Sequence, residues 1–282
     1  MSKIKFSVLM SVYKNDKPEY VKLAIDSILN QKIRPNQYVI MIDGPISEDL
    51  KKILLDYEKK DKIVELHFRE KNLGLGLTLN EGLNYCKYEY VARMDADDEA
   101  LSNRFEDQIK YLEDHPEVDV IGANMYEYDE EMKNIISQKN VPETDKELKE
   151  YVKFRNPINH PTVIFKKDKV LEVGSYEDFP LFEDYYLWAK LVSNNCTFYN
   201  IQKPLYNFRG GNSMYERRGG KKYLSCIKKF EQGLLRLGII NKKEYHRNIS
   251  KRYIGALIPN KLRVFLYKQI LRDRSDDNDK KN

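Results

Sequence analysis

The sequence predicts an α/β protein with a mostly parallel sheet that is flanked by helices on both of its faces. Three observations support this fold class. Over the first hundred residues, apolar and β-branched runs alternate with segments of helical periodicity, as in successive strand–helix units. The 282-residue chain is 41% hydrophobic and 33% charged, which is enough apolar material to form a core. Its longest apolar runs have the length of a buried strand and fall far short of the roughly 20 residues of a membrane span.

The strand–helix alternation can be followed element by element through the first hundred residues. Strands are predicted at residues 6–13, 38–42, 63–68 and 90–94. Helices are predicted at residues 18–31, from an N-cap at Ser47 to about residue 60, and at residues 77–86. The first strand is apolar along nearly its whole length, which is typical of a parallel strand covered on both faces.

The pattern changes after residue 98. Helices are predicted at residues 104–112 and 185–192, strands at 118–122 and 162–165, and a polar, irregular connection at 124–145. The segment 208–220 contains four glycines and three arginines, which predicts a mobile loop. Two or three basic, partly amphipathic helices follow it, and residues 273–282 are predicted to be disordered.

The cysteine and histidine content argues against two kinds of site. Three cysteines, Cys86, Cys196 and Cys226, are too few and too scattered for a disulfide framework or a zinc site, so we expect them to be reduced in a cytosolic protein. Four histidines without paired spacing argue against a metal site built from imidazoles. The start of the chain runs directly into the first strand, so we expect no signal peptide.

Charge is distributed unevenly along the chain, whose formal net charge is +5. Residues 221–282 contain 17 Lys and Arg against 6 Asp and Glu, a net of +11, whereas the first 220 residues have a net of −6. Such asymmetry indicates an anionic partner for the tail, either a membrane or a nucleic acid. Basic amphipathic helices favour anionic membrane surfaces, and the alternative is a solvated helical appendage packed on the body. No nucleic-acid-binding module is recognisable in the sequence.

The strongest local signal is a run of carboxylates, Asp95, Asp97 and Asp98, directly after the fourth predicted strand. In open α/β sheets, ligands bind at the carboxyl edge of the parallel strands. Crowded carboxylates repel one another unless a cation lies between them, and Mg²⁺ is typically held by one or two carboxylates together with substrate phosphates. The run therefore indicates a cation site for a nucleoside diphosphate. The alternative is an acidic loop that caps the next helix.

Polar residues that follow the first two strands should lie at the same edge. Asp43 precedes a Gly-Pro pair, so it is either a turn residue or an acceptor for a base or ribose. Ser11 and Tyr13 would lie beside it, and Tyr13 offers a ring for stacking and a hydroxyl group. The turn Asn72–Gly76 is neither a dinucleotide-binding nor a P-loop motif, and we interpret it as a close approach of the backbone to a ligand or a helix.

A second acidic pair, Glu183 and Asp184, precedes a helix with an aromatic face. It is either a charge pair at a helix N-terminus, with Trp188 in the core, or the source of a general base. His160 is either a core or loop histidine or part of an acceptor pocket. Arg209, at the start of the glycine-rich loop, could fold over a pyrophosphate, because such loops often act as lids.

Taken in order, these motifs resemble those of family 2 glycosyltransferases with the GT-A fold. The resemblance rests on Leu9–Tyr13, Ser27–Gln31, Asp43-Gly44, Asn72-x-Gly74, Asn80-x-Gly82, Asp95-x-Asp97-Asp98, Asn156-Pro157 with His160, and Glu183-Asp184. It covers about residues 4–210, and the order and spacing of the motifs are more specific than any single one. Members of this family use nucleotide-sugar donors and invert the anomeric carbon. The chain is similar in particular to bacterial enzymes of O-antigen, capsule and exopolysaccharide assembly, including β-1,3-galactosyltransferases and amylovoran-type transferases.

The resemblance implies roles for the residues of the first half. Ser11, Tyr13 and Asp43 would hold the uridine, and Asn72 belongs with these nucleotide-binding residues. The carboxylates after the fourth strand would act on the rest of the donor. Asp95 would contact the ribose or the metal, and Asp97 would be the principal ligand of Mn²⁺ or Mg²⁺, bridging it to the diphosphate.

The resemblance also implies roles for residues of the second half. Asp184 would be the catalytic base, and Glu183, His160 and Trp188 would contribute to the acceptor site. Two arginines, Arg93 and Arg209, would contact phosphate. The Gln-x-x-Arg-Trp motif of processive members is absent, because Trp188 follows Asp184-Tyr-Tyr-Leu. The resemblance therefore implies transfer of a single sugar.

The expected organisation follows from the same resemblance. Residues 1–100 would be the nucleotide-sugar-binding half of one GT-A domain, residues 101–215 its acceptor-binding half, and residues 216–282 a basic helical extension with a disordered end. The donor would be a UDP-sugar (UDP-galactose, UDP-glucose or UDP-GlcNAc) and the acceptor a saccharide on a lipid carrier. We therefore expect a cytoplasmic enzyme that contacts the plasma membrane peripherally through residues 221–274.

Three other functions fit the sequence less well. A phosphohydrolase with an Asp-x-Asp nucleophile pair has it on the first strand, whereas Asp95-x-Asp97 follows the fourth. A nucleotidyltransferase has a Gly-rich loop with Arg and Lys after its first strand, which residues 10–15 lack. A non-catalytic scaffold that binds nucleotide sugars for a partner transferase stays open, although Asp97 and Asp184 are both present.

Overall fold

The computed structural model of the protein describes residues 3–210 and 220–257, and in this part of the chain one mixed sheet of nine strands is flanked by helices. The strands are β1 (Phe6–Val12), β2 (Gln37–Ile42), β3 (Val64–Phe68), β4 (Tyr90–Met94), β5 (Glu99–Ala100), β6 (Val120–Tyr128), β7 (Ile135–Lys139), β8 (Ile164–Lys166) and β9 (Phe198–Arg209). The helices are α1 (Pro18–Leu29), α2 (Glu48–Lys60), α3 (Leu75–Leu83), α4 (Arg104–Asp114), α5 (Asp145–Tyr151), α6 (Lys167–Glu172), α7 (Glu183–Ser193), α8 (Gly220–Arg236) and α9 (Lys242–Leu257). A 3₁₀ turn, His160–Thr162, precedes β8.

The first four strands are parallel, as predicted, and follow the order β3-β2-β1-β4. Every residue of β2 is buried, which explains why this strand is apolar after its first residue, Gln37. The chain moves outward from β1 to β3 and then returns to place β4 on the other side of β1. The strand order therefore reverses at β1, and the carboxyl ends of β1 and β4 border the crevice where such sheets bind ligands.

The predicted start of α2 is confirmed. Ser47 has extended backbone angles, and its side chain accepts a hydrogen bond from the amide of Leu50. Acidic residues in the first turn and lysines in the last turn complement the helix dipole. Other predicted helices have the right place but shifted ends, since α3 spans Leu75–Leu83 instead of 77–86 and α7 begins two residues early, at Glu183.

The second half of the sheet is where the sequence-based prediction is wrong. Residues 124–145 are irregular only in part, because β6 continues to Tyr128 and β7, Ile135–Lys139, returns along it. The polar residues that concealed these strands are buried and hydrogen-bonded. Asn124 Oδ1 accepts from the amide of Val141 at 3.0 Å, and Glu127 Oε2 accepts from Ser137 Oγ at 2.8 Å. A buried polar residue with a partner breaks the alternation on which strand prediction depends.

Strand β9 was not predicted, although it has twelve residues. It runs parallel to β6, and its pairing shifts register near Pro204, which cannot donate a ladder hydrogen bond. Because β8 is antiparallel to both β4 and β6, strands β6 and β9 run in the same direction as β4. The carboxyl end of β9 thus reaches the same sheet edge as the residues that follow β4.

The described part of the basic tail packs on the body of the protein. The apolar face of α8, with Ile227, Phe230 and Leu234, is buried in one cluster with residues of α7, and the ring of Phe230 stacks on Phe182 at 4.5 Å. For α8 this agrees with the packed-appendage alternative. Residues 258–274 of the segment predicted to contact a membrane, the predicted disordered end and residues 211–219 of the predicted mobile loop lie outside the described residues. In residues 3–210 and 220–257, no helix has the length and apolarity needed to cross a bilayer.

Helix α3 packs closely on the sheet because of Gly82. A Cβ at this position would lie 2.6 Å from Leu9 Cδ1 and 2.8 Å from Met41 Cγ, both in fully buried side chains. We expect Gly82→Ala to lower the free energy of unfolding by about 1–2 kcal/mol, because the cost of overpacking exceeds the gain in helix propensity. Urea unfolding measures this change, with Asn84→Ala at the exposed end of the helix as the control. Equal stability of Gly82→Ala and the wild type would contradict the close packing.

Candidate active site

The loops after β1 and β2 meet at the carboxyl edge of the sheet, as predicted. The amide of Asp43, the first residue after β2, donates to the carbonyl of Val12 at the end of β1. Ser11 is half-buried in this edge, and Tyr13 exposes 39% of its surface just beyond it. The structure thus brings Ser11, Tyr13 and Asp43 together.

Asp43 holds the turn that follows β3. Its side chain is 3% exposed and accepts hydrogen bonds from the amides of Leu73 and Gly74, both at 3.0 Å, and from Arg69 Nη1 at 3.2 Å. The side chain of Asn72 donates to the Asp43 carbonyl. Since a carboxylate has about four lone-pair sites, three of them are used by the protein. A contact of Asp43 or Asn72 with a nucleotide stays a prediction.

The three acidic residues after β4 have different surroundings. Asp97 is exposed, whereas Asp95 is 25% exposed and forms an ion pair with the buried guanidinium of Arg93. Asp98 is fully buried, and its Oδ1 accepts a hydrogen bond from the amide of Arg209 at 2.7 Å. Asp98 therefore fastens the loop to the end of β9, while Asp95 and Asp97 are left toward the crevice.

Asp16 is a fourth carboxylate of this cluster, and the sequence analysis missed it. It follows β1 and accepts a hydrogen bond from the amide of Tyr13 at 2.8 Å. Burial raises the pKa of Asp16 to about 7, and the negative charges of Asp97 and Asp95 add to the shift. Although Asp97 as a whole is exposed, desolvation of its carboxyl group, followed by the charge of Asp95, raises its pKa to about 6. The signal in the sequence that could have identified Asp16 was its position after β1, since the loop after β1 reaches the same sheet edge as the loop after β4.

The donor set of this cluster suits a hard divalent cation. Carboxylate oxygens are the ligands that Mg²⁺ and Mn²⁺ prefer. Among the described residues, no group of three or more His, Cys, Asp and Glu side chains is arranged to hold a metal ion by itself. Asp97 and Asp95 would therefore supply one or two ligands, and a phosphate-bearing substrate would supply others.

Arg209 is engaged by the protein at the end of β9. Its Nε donates to the carbonyl of Asp97 and its Nη1 to the carbonyl of Glu130, both at 2.6 Å. The guanidinium lies 3.6 Å from the centre of the Tyr20 ring. The structure thus places Arg209 beside the acidic loop, and its contact with phosphate stays a prediction.

The second predicted acidic pair lies at the start of α7. Asp184 accepts hydrogen bonds from Asn156 Nδ2 at 2.6 Å and from the amide of Tyr185 at 2.7 Å. Burial raises the pKa of Asp184, while these two bonds and the positive charge of Lys139 lower it. Burial also raises the pKa of Glu183 to about 7. Asn156, which the sequence offered without a role, is the side chain that holds Asp184.

The turn after β3 connects the two groups of acidic residues. A Cβ at Gly76, in the first turn of α3, would lie 2.8 Å from the carbonyl of Glu177 and 3.3 Å from Glu183 Cβ. The turn that Asp43 holds therefore packs directly against the segment that carries Glu183. This contact confirms the interpretation of Asn72–Gly76 as a close approach to a helix.

A polar contact between His160 and Tyr176 lies near both groups. His160 Nε2 and Tyr176 Oη are 3.0 Å apart, and burial, followed by the charge of Arg93, holds the pKa of His160 well below its ordinary value. Burial raises the pKa of the Tyr176 hydroxyl, Arg93 lowers it, and the charges of Asp184 and Asp95 raise it further. Tyr176 thus lies within electrostatic reach of both acidic groups.

Trp188 does not line the site surface. It is fully buried in the apolar core, and its ring meets His160 edge-on at 6.0 Å. The structure therefore agrees with the alternative that placed Trp188 in the core, and it corrects the prediction of a direct contact with an acceptor. Arg93 is also buried, and its Nε and Nη1 lack hydrogen-bond partners among the described residues.

Comparison with known proteins points to one family. The sequence pattern described as Glycosyl transferase family 2 matches residues 7–172. The chain is 36% identical over 267 residues to the amylovoran biosynthesis glycosyltransferase AmsE of Erwinia amylovora, covering 94% of this chain and 98% of that protein. It is 35% identical over 270 residues to an Escherichia coli protein named UDP-Gal:alpha-D-GlcNAc-diphosphoundecaprenol beta-1,3-galactosyltransferase, covering 95% and 97% of the two chains.

Solved structures confirm the expected GT-A fold. The crystal structure of Staphylococcus aureus TarS 1–349 in complex with UDP-GlcNAc matches with a TM-score of 0.65 and 18% identity, over 89% of this chain and 72% of that one. The mannosyltransferase PcManGT of Pyrobaculum calidifontis, in complex with GDP-Man and Mn²⁺, matches with a TM-score of 0.62 and 13% identity, over 91% and 71% of the chains.

Proposed function

Because the chain belongs to glycosyl transferase family 2, we propose that it transfers a single sugar from a UDP-sugar to a saccharide on a lipid carrier, with inversion at the anomeric carbon. One observation carries the proposal. The exposed Asp97 and the partly exposed Asp95 follow β4, and the hydrogen-bonded Asp184 lies at the start of α7, with Tyr176 within electrostatic reach of Asp95 and Asp184. Such an arrangement suits a reaction that needs charge neutralisation on one reactant and a base for the other.

The donor would lie along the carboxyl edge of β1, β2 and β4. Tyr13 would stack on the uracil, and the half-buried Ser11 and the remaining lone pair of Asp43 would meet its polar groups. Asp97, with Asp95 beside it, would hold Mn²⁺ or Mg²⁺ together with diphosphate oxygens. The chemistry supplied at this site would be neutralisation of the charge that develops on the leaving UDP. In this proposal, residues 1–100 form the donor half and residues 101–215 the acceptor half.

Asp184 would act on the acceptor. Its carboxylate takes the proton of the acceptor hydroxyl as the oxygen attacks the anomeric carbon from the face opposite UDP. The bonds from Asn156 and the Tyr185 amide favour the ionised form that this step needs, against the effect of burial. Glu183 and the neutral His160 would hold other acceptor hydroxyls beside it.

The choice of donor and acceptor is supported by relatives. The Escherichia coli protein is named for UDP-Gal and for an acceptor on diphosphoundecaprenol, and the TarS structure contains UDP-GlcNAc. A lipid-linked acceptor would bring the enzyme to the cytoplasmic face of the plasma membrane, in peripheral contact with it. Three basic side chains of the C-terminal helices are exposed and lie outside the packed apolar face: Lys228 of α8, and Lys243 and Lys251 of α9.

We expect the purified protein to release UDP slowly from one UDP-sugar in the presence of Mn²⁺ or Mg²⁺, and EDTA to suppress this release. The reason is that water can replace the acceptor, whereas the diphosphate still needs a cation when it leaves. The measurement is UDP release from a panel of UDP- and GDP-sugars with each metal and with EDTA, repeated with GlcNAc on a diphospholipid. The acceptor should accelerate release from the same donor. Undiminished release in EDTA would exclude the metal role of Asp97, and release from GDP-sugars alone would exclude UDP.

A further inference from the structure

The segment after α5 carries Asn156, the side chain that holds Asp184. The carbonyls of the turn that follows a helix have no partners within the helix and need donors from elsewhere. Here three successive carbonyls accept from side chains of other helices. Val152 accepts from Tyr185 Oη at 2.8 Å, Lys153 from Asn248 Nδ2 at 2.8 Å, and Phe154 from a nitrogen of Arg252 at 3.3 Å.

Two of these three donors come from α9, in the C-terminal helix pair. Asn248 and Arg252 lie four residues apart, on one face of the helix, so a single face can reach two neighbouring carbonyls. A cation at a helix C-terminus is also favoured by the helix dipole, and the positive group here is Arg252. The turn that follows α5 is therefore held by an element about 95 residues further along the chain.

A buried carboxylate holds both donors in place. Glu231 of α8 is fully buried, and its oxygens lie 2.7 Å from Arg252 Nε and 3.2 Å from Asn248 Nδ2. The guanidinium of Arg252 also lies within 5.4–5.7 Å of the ring centres of Phe182, Tyr185 and Phe230. A buried charge requires a partner with good geometry, so Glu231 fixes the side chains that meet the segment after α5.

We propose that Glu231, Asn248 and Arg252 are positioning residues for Asp184. They fix the carbonyls of Lys153 and Phe154, and this places Asn156 at 2.6 Å from the carboxylate of Asp184. Their catalytic consequence rests on the proposed function, in which Asp184 is the base. In these terms the C-terminal pair α8–α9 is part of the acceptor half and acts on Asp184 through the segment after α5.

Loss of this support has a defined effect on Asp184. The groups that face its carboxyl are Asn156, the Tyr185 amide, Lys139 at the end of β7, Glu183 on its own helix, and Tyr176. Of these, Asn156 lies on the supported segment, and its hydrogen bond stabilises the ionised carboxylate. If Asn156 is displaced, its hydrogen bond no longer offsets the effect of burial, and the pKa of Asp184 rises.

The experiment compares four variants. Asn248→Ala removes one donor, and the double variant Glu231→Gln with Arg252→Met removes the other donor and both buried charges together, so that no charge is left unpaired. Asn156→Ala is the reference for loss of the bond to Asp184. Ile240→Ala, in the same apolar cluster as α7 but outside the contact with the segment, is the matched control for loss of packing.

We expect the Asn248 and Glu231/Arg252 variants to lower kcat by about 10- to 100-fold, since small displacements of a catalytic group cost up to about 10²-fold. The KM for the UDP-sugar should change less than about twofold, because the donor site lies on other elements. The acid limb of the pH profile should move to higher pH, and the same shift is expected in Asn156→Ala. Hydrogen exchange of residues 152–158 should accelerate, and a ¹³C NMR titration should show a higher pKa for Asp184.

Each outcome decides the proposal. Ile240→Ala should lose stability but keep the wild-type kcat and pH profile. If the positioning variants behave like Ile240→Ala, or if exchange of 152–158 and the Asp184 titration are unchanged, the proposal is overturned. If the wild type transfers no sugar from any donor, the proposed function fails, whereas the exchange and titration experiments still decide whether α8 and α9 hold Asn156 against Asp184.

Discussion

Replacing Asp184 with Asn is expected to lower kcat for sugar transfer by about 10²–10⁴-fold, the usual contribution of a general base. The amide cannot accept the proton of the acceptor hydroxyl, while its size preserves the packing at the start of α7. Asn156 can still donate to the remaining oxygen at this position. Initial rates with a saturating donor and a lipid-linked acceptor measure the loss, and the affinity for UDP should stay at the wild-type value.

The pH profile provides a second measurement of the same assignment. Asp184 must be ionised to accept a proton, so kcat/KM falls as the pH drops through its pKa. Burial raises this pKa above the ordinary 3.8, and the acid limb should therefore lie above pH 3.8 in the wild type. Asp178→Asn, an exposed carboxylate on the segment before α7, is the control and should leave rate and profile unchanged. Full activity of Asp184→Asn would remove Asp184 from the reaction.

Replacing Asp97 with Asn is expected to lower transfer by about 10²–10³-fold. A bound cation supplies several kcal/mol of charge stabilisation to the leaving group, and each 1.4 kcal/mol corresponds to about a factor of ten in rate. The amide keeps one oxygen ligand but loses the negative charge that attracts the cation. Activity should recover in part at Mn²⁺ concentrations well above those that saturate the wild type.

Binding of UDP separates a metal ligand from a folding defect. In the wild type, Mn²⁺ should tighten UDP binding, and in Asp97→Asn this gain should disappear while metal-free binding is kept. The control is Asp114→Asn at the exposed end of α4, which should behave as the wild type. The same gain from Mn²⁺ in both proteins would show that Asp97 is not a ligand.

The parts of the fold that could be predicted are those in which burial and local pattern agree. The apolar strands β1, β2 and β4 and the capped start of α2 at Ser47 follow from composition and periodicity alone. The start of β6 was predicted, but its continuation to Tyr128 and strands β7 and β9 could not be recognised in this way, because residues such as Asn124 and Glu127 are polar yet buried. Their hydrogen-bond partners lie on neighbouring strands, which a local pattern does not contain.

The same distinction between local pattern and distant contacts explains which residues of the candidate site could be predicted. Asp97 stood out because it closely follows an apolar strand. Asp184 stood out because it precedes a helix with an aromatic face. Asp16 was missed because a single acid in a polar loop has no local signature, and its neighbours are set by strand order. Trp188 shows the opposite error. It lies close to catalytic candidates in the sequence and was assigned to the acceptor site, but its side chain is buried in the core. The support from Asn248 likewise depends on a contact between distant parts of the chain.

The bond between Asp98 and the amide of Arg209 joins residues 111 positions apart, and this has a consequence for synthesis on the ribosome. The first four strands can emerge and pair while β8, the partner of β4, is still to be made, so the nascent chain carries an open sheet edge. The acidic loop gains its fixed geometry when β9 has left the exit tunnel and docked. Folding that depends on contacts between residues distant in sequence is slow. The newly synthesised protein is therefore prone to aggregation before it can bind its donor.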